Sequence, residues 1–329
     1  MPVSSSVRLT LISTAIVALS ACSGGGQFAP SSGATVSLSQ GRSLGGGPLA
    51  VQARPDTVKD FAFGSDNASG VYEYNRSGQD QAPLQEITDG LKYPYGIWIG
   101  DAPSPDLYVA DEGNSNVVVF GAPSYTSTTI TYQDTGQIPS SVTQCGNYVY
   151  AGNLIDNATS YGSATVWKTG KPKPSKVVSN GETWVSAQGI ACDPTSGNVY
   201  VAFLYSYAGP GGIDEYTPGL GGKPTLLPMS PGYPGGIAVD KKGDIAVTEE
   251  FSGTVEFYHP TSSSPFQTVT GFSSPVGVAF EASDSDIWVA DQGANKLYRV
   301  AVKTSKKLDT ITKPGFKALS GAATIPADH

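Results

Sequence analysis

A unit recurring every 41 to 47 residues constrains this chain more than any other feature. Its clearest copy runs from Pro275 to Val300, PVGVAFEASDSDIWVADQGANKLYRV. It predicts three short strands, Val276–Phe280, Ile287–Ala290 and Lys296–Val300, with turns through Glu281–Asp286 and Asp291–Asn295. The first two runs are apolar on both faces, as in strands sandwiched between neighbours, and the third is only half apolar. Such a unit cannot bury itself alone, so copies must pack against one another.

With Gly277 as marker, the pattern returns at Gly96, Val142, Gly189 and Gly236, at separations of 46, 47, 47 and 41 residues. A fourth strand fits after each third one: Thr128–Tyr132, Ser175–Ser179, Pro224–Leu227, Phe266–Thr270 and Lys306–Thr312. Four strands per period of this length predict an all-β fold, the β-propeller. The two ends supply one more blade. Val58–Gly64, Gly70–Tyr74 and Pro83–Thr88 match second, third and fourth strands but have no first strand. Gly321, 44 residues after Gly277, falls where a first strand is missing. The C-terminal strand is therefore expected to complete the N-terminal blade, giving six four-stranded blades over residues 56–326 and removing the open sheet edges.

The units read P-x-G-I-A-V-D, then G-x-I-Y-V-A-D, then N-x-V-x-x-F, and so resemble NHL-repeat six-bladed propellers. That broad group includes streptogramin-lyase-like and gluconolactonase-like proteins. The resemblance implies a fold and leaves function open, because propellers host unrelated activities.

Ahead of the repeat, residues 1–21 read as a signal peptide: Arg8 precedes an apolar run, Leu9–Leu19, too short to span a membrane. The run ends in Leu19-Ser20-Ala21-Cys22, which resembles a bacterial lipobox; the resemblance implies acylation of Cys22, and several acyl chains hold a protein on a membrane where one holds it only marginally. Residues 22–55 then form a Gly- and Ser-rich tether with no apolar periodicity. Ser23 is not the Asp associated with inner-membrane retention, so outer-membrane or surface display is expected. The 20 basic residues less Arg8, against 28 acidic ones, give a mature charge of −9. An acidic chain without a basic cluster argues against nucleic acid and against direct attraction to anionic lipid. The expected particle is a lipid-anchored extracytoplasmic monomer of the bacterial envelope.

Two groups of residues could carry function. Blades three and four have longer stretches between second and third strands, Gly152–Ser163 and Leu204–Gly211. The face they share collects Asn153, Asp156, Asn157, Tyr161, Tyr205 and Tyr207, with Tyr93, Tyr95, Trp184 and Tyr233 nearby. Tyr and Trp present rigid amphipathic surface at low entropy cost, which suits a protein, peptide or glycan ligand. Trp184, Phe272 and Phe316, each five residues before its marker, also fit packing between blades.

The second group is Asp66, Asp111, Glu249 and Asp291, at the ends of second strands, joined by Asn153. They fit either carboxylates accepting backbone N–H bonds in turns or, under an alternative lactonase-like reading, ligands to a calcium ion. Repetition in successive blades favours the first, with no metal or other cofactor. Of the two histidines, His259 is expected on the opposite face and His329 is terminal, so no general base sits where a lyase would need one. Binding or scaffolding is accordingly expected ahead of catalysis. Cys145 and Cys192 lie on adjacent first strands, three residues after their markers. A disulfide can form there outside the cytoplasm, provided neighbouring blades come close enough.

Overall fold

The structure, a computed structural model, describes residues 61–100, 105–281 and 283–325. The signal peptide, Cys22, the tether, the outermost propeller residues and His329 lie outside these residues.

Each period folds into a four-stranded antiparallel sheet, and there are six. Blade two comprises Pro94–Ile99, Leu107–Asp111, Asn116–Phe120 and Thr128–Gln133, ordered from the channel outward. Blade three runs Gln137–Cys145, Tyr148–Asp156, Tyr161–Lys168 and Lys176–Val178; blade four runs Ser186–Cys192, Val199–Leu204, Gly211–Thr217 and Gly221–Leu226. Blade five has Pro234–Val239, Ile245–Glu249, Thr254–Tyr258 and Gln267–Thr270; blade six has Pro275–Phe280, Asp286–Asp291, Lys296–Ala301 and Lys306–Ile311. Blade one closes the ring: Leu319–Thr324 pairs with Phe61–Asp66, followed by Gly70–Asn75 and Gln85–Ile87. The closing register sets Ala62 opposite Thr324, Phe63 opposite Ala323 and Gly64 opposite Ala322.

The core is divided into six clusters, each between two adjacent blades. Between blades one and two, for example, Phe63, Val71 and Ile87 meet Ile97, Val109 and Phe120. This is why the first two strands of each unit are apolar on both faces: each sheet is covered on both sides. The three aromatic residues five before their markers serve these junctions. Trp184 is fully buried and stacks on Phe203, with centroids 5.7 Å apart; Phe316 packs edge-on against Tyr72, and Phe272 against Tyr298.

The marker glycines mark the closest approach of neighbouring blades. A Cβ on Gly96 would lie 2.4 Å from the Ser140 carbonyl oxygen, and one on Gly277 would lie 2.8 Å from that of Ser320. Gly189, Gly236 and Gly321 meet the next innermost strand in the same way. Blade three departs from expectation. Its residue in this register is Ser141, paired with Gly152, one position before Val142. The glycine has moved to the second strand, where a Cβ would sit 2.6 Å from Ser141 Oγ.

The stretch Gly152–Ser163 is also not a long loop. The second strand runs on to Asp156 and the third starts at Tyr161, leaving a short turn. Pairing of Gln137 and Pro139 with Asp156 and Asn153 carries the sheet that far.

Candidate functional site

The innermost strands surround a channel, and their register arranges its wall in layers. The residues of closest approach, Gly96, Ser141, Gly189, Gly236, Gly277 and Gly321, form a collar, and one position after each stand Ile97, Val142, Ile190, Ile237, Val278 and Ala322. They line both channel cavities and form an aliphatic constriction between them. The upper cavity, on the side where innermost strands begin, is small, about 50 Å³. The lower one, where they end, is about 260 Å³.

Turns after the second strands surround the upper mouth. Their terminal carboxylates act as clamps on the chain entering the same blade's innermost strand. Asp111 accepts from the backbone N–H of Lys92 (3.0 Å) and Tyr93 (2.8 Å), and Asp291 from Ser273 and Ser274 (both 2.9 Å). Asp66 takes the N–H groups of Lys317 and Ala318, both at 2.9 Å, and so ties the C-terminal strand to the N-terminal blade. Glu249 accepts from Tyr233 N–H at 2.8 Å. These carboxylates are each engaged within their own blade. Among the described residues no group of three or more His, Cys, Asp or Glu side chains is placed to share an ion.

Asn153 holds the equivalent position in blade three, fully buried, and donates to Ser163 Oγ and Thr165 Oγ1, both at 3.0 Å. It belongs to an internal polar cluster with Asp134, whose carboxyl burial pushes up to about 7. Two other residues expected at a ligand surface are buried. Trp184 donates its indole N–H to Asp214 at 2.9 Å, and Tyr233 is 7% exposed. Asp156 caps its own turn through Ala158 N–H, with Asn157 exposed and Tyr161 half-buried beside it.

The residue following each clamp carboxylate was not anticipated from sequence. It is Glu112 in blade two and Glu250 in blade five, at the same register. Innermost strands neighbour one another in the order one to six and back to one, so blades two and five are opposite. Glu250 lines the upper cavity together with Tyr95 of blade two. Burial, then the nearby charge of Glu249, pushes the Glu250 carboxyl up to about 8. Burial likewise raises Glu112 and Glu249 to about 7. Burial and the charges of Glu250 and Glu112 push the Tyr95 phenol well above its ordinary range. Glu112 Oε1 and Glu249 Oε1 are buried without hydrogen-bond partners, and none of the three glutamates is ion-paired among the described residues.

Exposed aromatic residues gather on the same face. Tyr93 (48% exposed), Tyr205 (37%) and Tyr207 (41%) occupy its loops. Phe251 (63%) adds to them and stacks on Tyr233, with centroids 4.1 Å apart. Phe266, the remaining exposed aromatic residue among those described, sits by the outermost strand of blade five against His259. His259 is at the lower side, with Nδ1 2.6 Å from Asp244 Oδ1.

At that lower side Cys145 and Cys192 are joined across blades three and four, with Cα atoms 6.1 Å apart. Both line the lower cavity.

No family model matches this sequence, and no curated protein matches it. Among solved structures, the chain is similar to one in the crystal structure of the nidogen/laminin complex, with a TM-score of 0.68 and 14% identity over 82% of this chain and 99% of that one. At this identity the likeness shows the fold alone: the protein is a six-bladed β-propeller.

Proposed function

We propose that this protein is a membrane-tethered, extracytoplasmic binding module that takes a basic segment of a peptide or protein on its upper face. One observation carries the reading: Glu250, without an ion pair among the described residues, lines a mouth flanked by exposed Tyr93, Tyr205, Tyr207 and Phe251, and Glu112 holds the same register on the opposite blade. Carboxylates short of partners gain most from a ligand bringing positive charge, and aromatic faces attract the same groups. Propeller folds commonly serve as binding or scaffolding modules, and the structurally similar chain is from a protein complex.

The tether and anchor rest on the sequence of residues 1–55, with Cys22 as the acylated residue. The bridge between Cys145 and Cys192 supports an oxidising compartment. The calcium-dependent lactonase reading has no comparable observation in its favour, because the carboxylates it needs are occupied by backbone N–H groups of their own blades.

Arrays of basic, acidic and neutral peptides, with a glycan array beside them, test the ligand class. Basic peptides are expected to bind, with Phe251→Ala and Tyr207→Ala each weakening them about 5- to 30-fold. Binding confined to glycans, or indifferent to both substitutions, would refute the proposal. Cys22→Ala tests the anchor: the variant should leave the membrane fraction, and its retention there after a salt wash would count against acylation.

A further inference from the structure

The lower cavity is distinct from the upper face and is built differently. Below the constriction, the second position after each collar residue is Trp98, Thr143, Ala191, Ala238, Ala279 and Ala323. Small side chains in five blades open a chamber; blade two puts an indole into it. The next layer is Ile99, Gln144, Cys192, Val239, Phe280 and Thr324. These two layers are mainly apolar, with Thr143, Gln144 and Thr324 as their polar groups, and Lys241, Glu281 and Asp284 also line the cavity. Concave apolar surface with a few placed polar groups is the usual make-up of a small-molecule site.

Trp98 supplies a second, independent observation. Three of the four tryptophans are fully buried, and each donates its indole N–H: Trp167 to Gln133 O (3.2 Å), Trp184 to Asp214 and Trp288 to Glu281 (3.0 Å). Trp98 is half-buried, and its indole N–H has no partner among the described residues. Edge-on packing against Tyr108, at 5.3 Å between centroids, holds the ring in the wall. A fixed aromatic face with a spare donor, in a chamber emptied by alanines, is suited to stacking and one directed hydrogen bond.

We propose that the lower cavity binds a small, flat, uncharged molecule of about two fused rings carrying a hydroxyl or carbonyl group, stacked on Trp98. Size follows from volume: an apolar cavity of about 150 Å³ holds a single benzene ring, and this one is about 260 Å³. The constriction from Ile97 to Ala322 separates it from the upper mouth, so this site stands or falls independently of the peptide reading.

The test uses 2-naphthol as probe and the indole N–H signals of ¹⁵N-labelled protein as readout, with the Trp98 signal assigned from Trp98→Phe. Naphthol should shift the Trp98 signal saturably while leaving those of Trp167, Trp184 and Trp288 in place. Ala238→Phe and Ala279→Leu, which fill the chamber from different blades, should each abolish the shift while keeping the parent melting temperature. Should either filled variant not fold, Trp98→Phe followed by ligand-observed saturation transfer decides, with about tenfold weaker binding expected. The proposal is overturned if millimolar naphthol leaves the Trp98 signal unmoved, if both folded filled variants bind like the parent, or if Trp98→Phe binds equally well.

Discussion

Replacing Gly277 with alanine probes the geometry on which the ring depends. The new methyl carbon would stand 2.8 Å from Ser320 O, 3.0 Å from Ala322 N and 3.0 Å from Gly321 Cα. All three are backbone atoms of the strand that closes the propeller, so no side chain can rotate away. Overpacking of this kind costs about 1–3 kcal/mol. For a domain of this size each kcal/mol lowers the melting temperature by about 2–4 °C, so a drop of roughly 2–12 °C is expected in thermal unfolding followed by circular dichroism. Blade three supplies the contrast. Ser141 occupies the same register, its hydroxyl is buried without a partner, and Gly152 makes room for it. Ser141→Ala should therefore leave the melting temperature unchanged or raise it slightly. If Gly277→Ala melted with the parent, or Ser141→Ala were the more damaging change, close approach would not explain the glycines.

Asp66→Ala removes the acceptor for Lys317 and Ala318 N–H at the closure; it should cost about 3 kcal/mol, and a melt like the parent's would show that the clamp is dispensable. The Cys145–Cys192 bridge spans 47 residues, for which loop-closure entropy gives about 4 kcal/mol; reduction should lower the urea midpoint accordingly, and an unchanged midpoint would refute that contribution. Glu250 supplies a pH test with a definite sign. Its folded carboxyl holds a proton up to about pH 8, whereas an unfolded glutamate releases it near 4.5, so between these values the folded state binds more protons and loses stability as pH rises. Glu250→Gln should gain stability relative to the parent between pH 5 and 8.5 in thermal melts, and a difference that stayed constant or shrank would contradict the burial argument.

The blade count and the closure were readable from sequence for a physical reason: the collar admits no Cβ, so glycine recurs at a fixed spacing. The reading slipped by one residue where the glycine had moved across the strand pair, from the register of Ser141 to Gly152. Gly152–Ser163 resembled a loop because Asn, Asp, Gly and Ser crowd it. Its strand character comes from long-range pairing with Gln137 and Pro139, which local pattern does not record. The clamp positions were visible as repeated carboxylates, and their partners follow only once the entering chain is placed beside them. Glu112, Glu250 and Phe251 stand in short turns of ordinary length, so no local pattern sets them apart. Comparing the residue after each clamp, blade against blade, would have found both glutamates. The alanines below the constriction were hidden in the same way: each looks ordinary alone, and only stacking six registers shows a chamber.

The binding of hexalysine and hexaglutamate peptides, each titrated by calorimetry against the parent, Glu250→Gln and Glu86→Gln, tests the account most directly. Glu86 is exposed on the outermost strand of blade one, so its substitution exchanges the same side chain without touching the mouth. The account predicts saturable binding of hexalysine at one site per propeller, weakened several-fold by Glu250→Gln and unaltered by Glu86→Gln, with no binding of hexaglutamate. Equal losses in the two variants, or hexaglutamate binding as well as hexalysine, would contradict it.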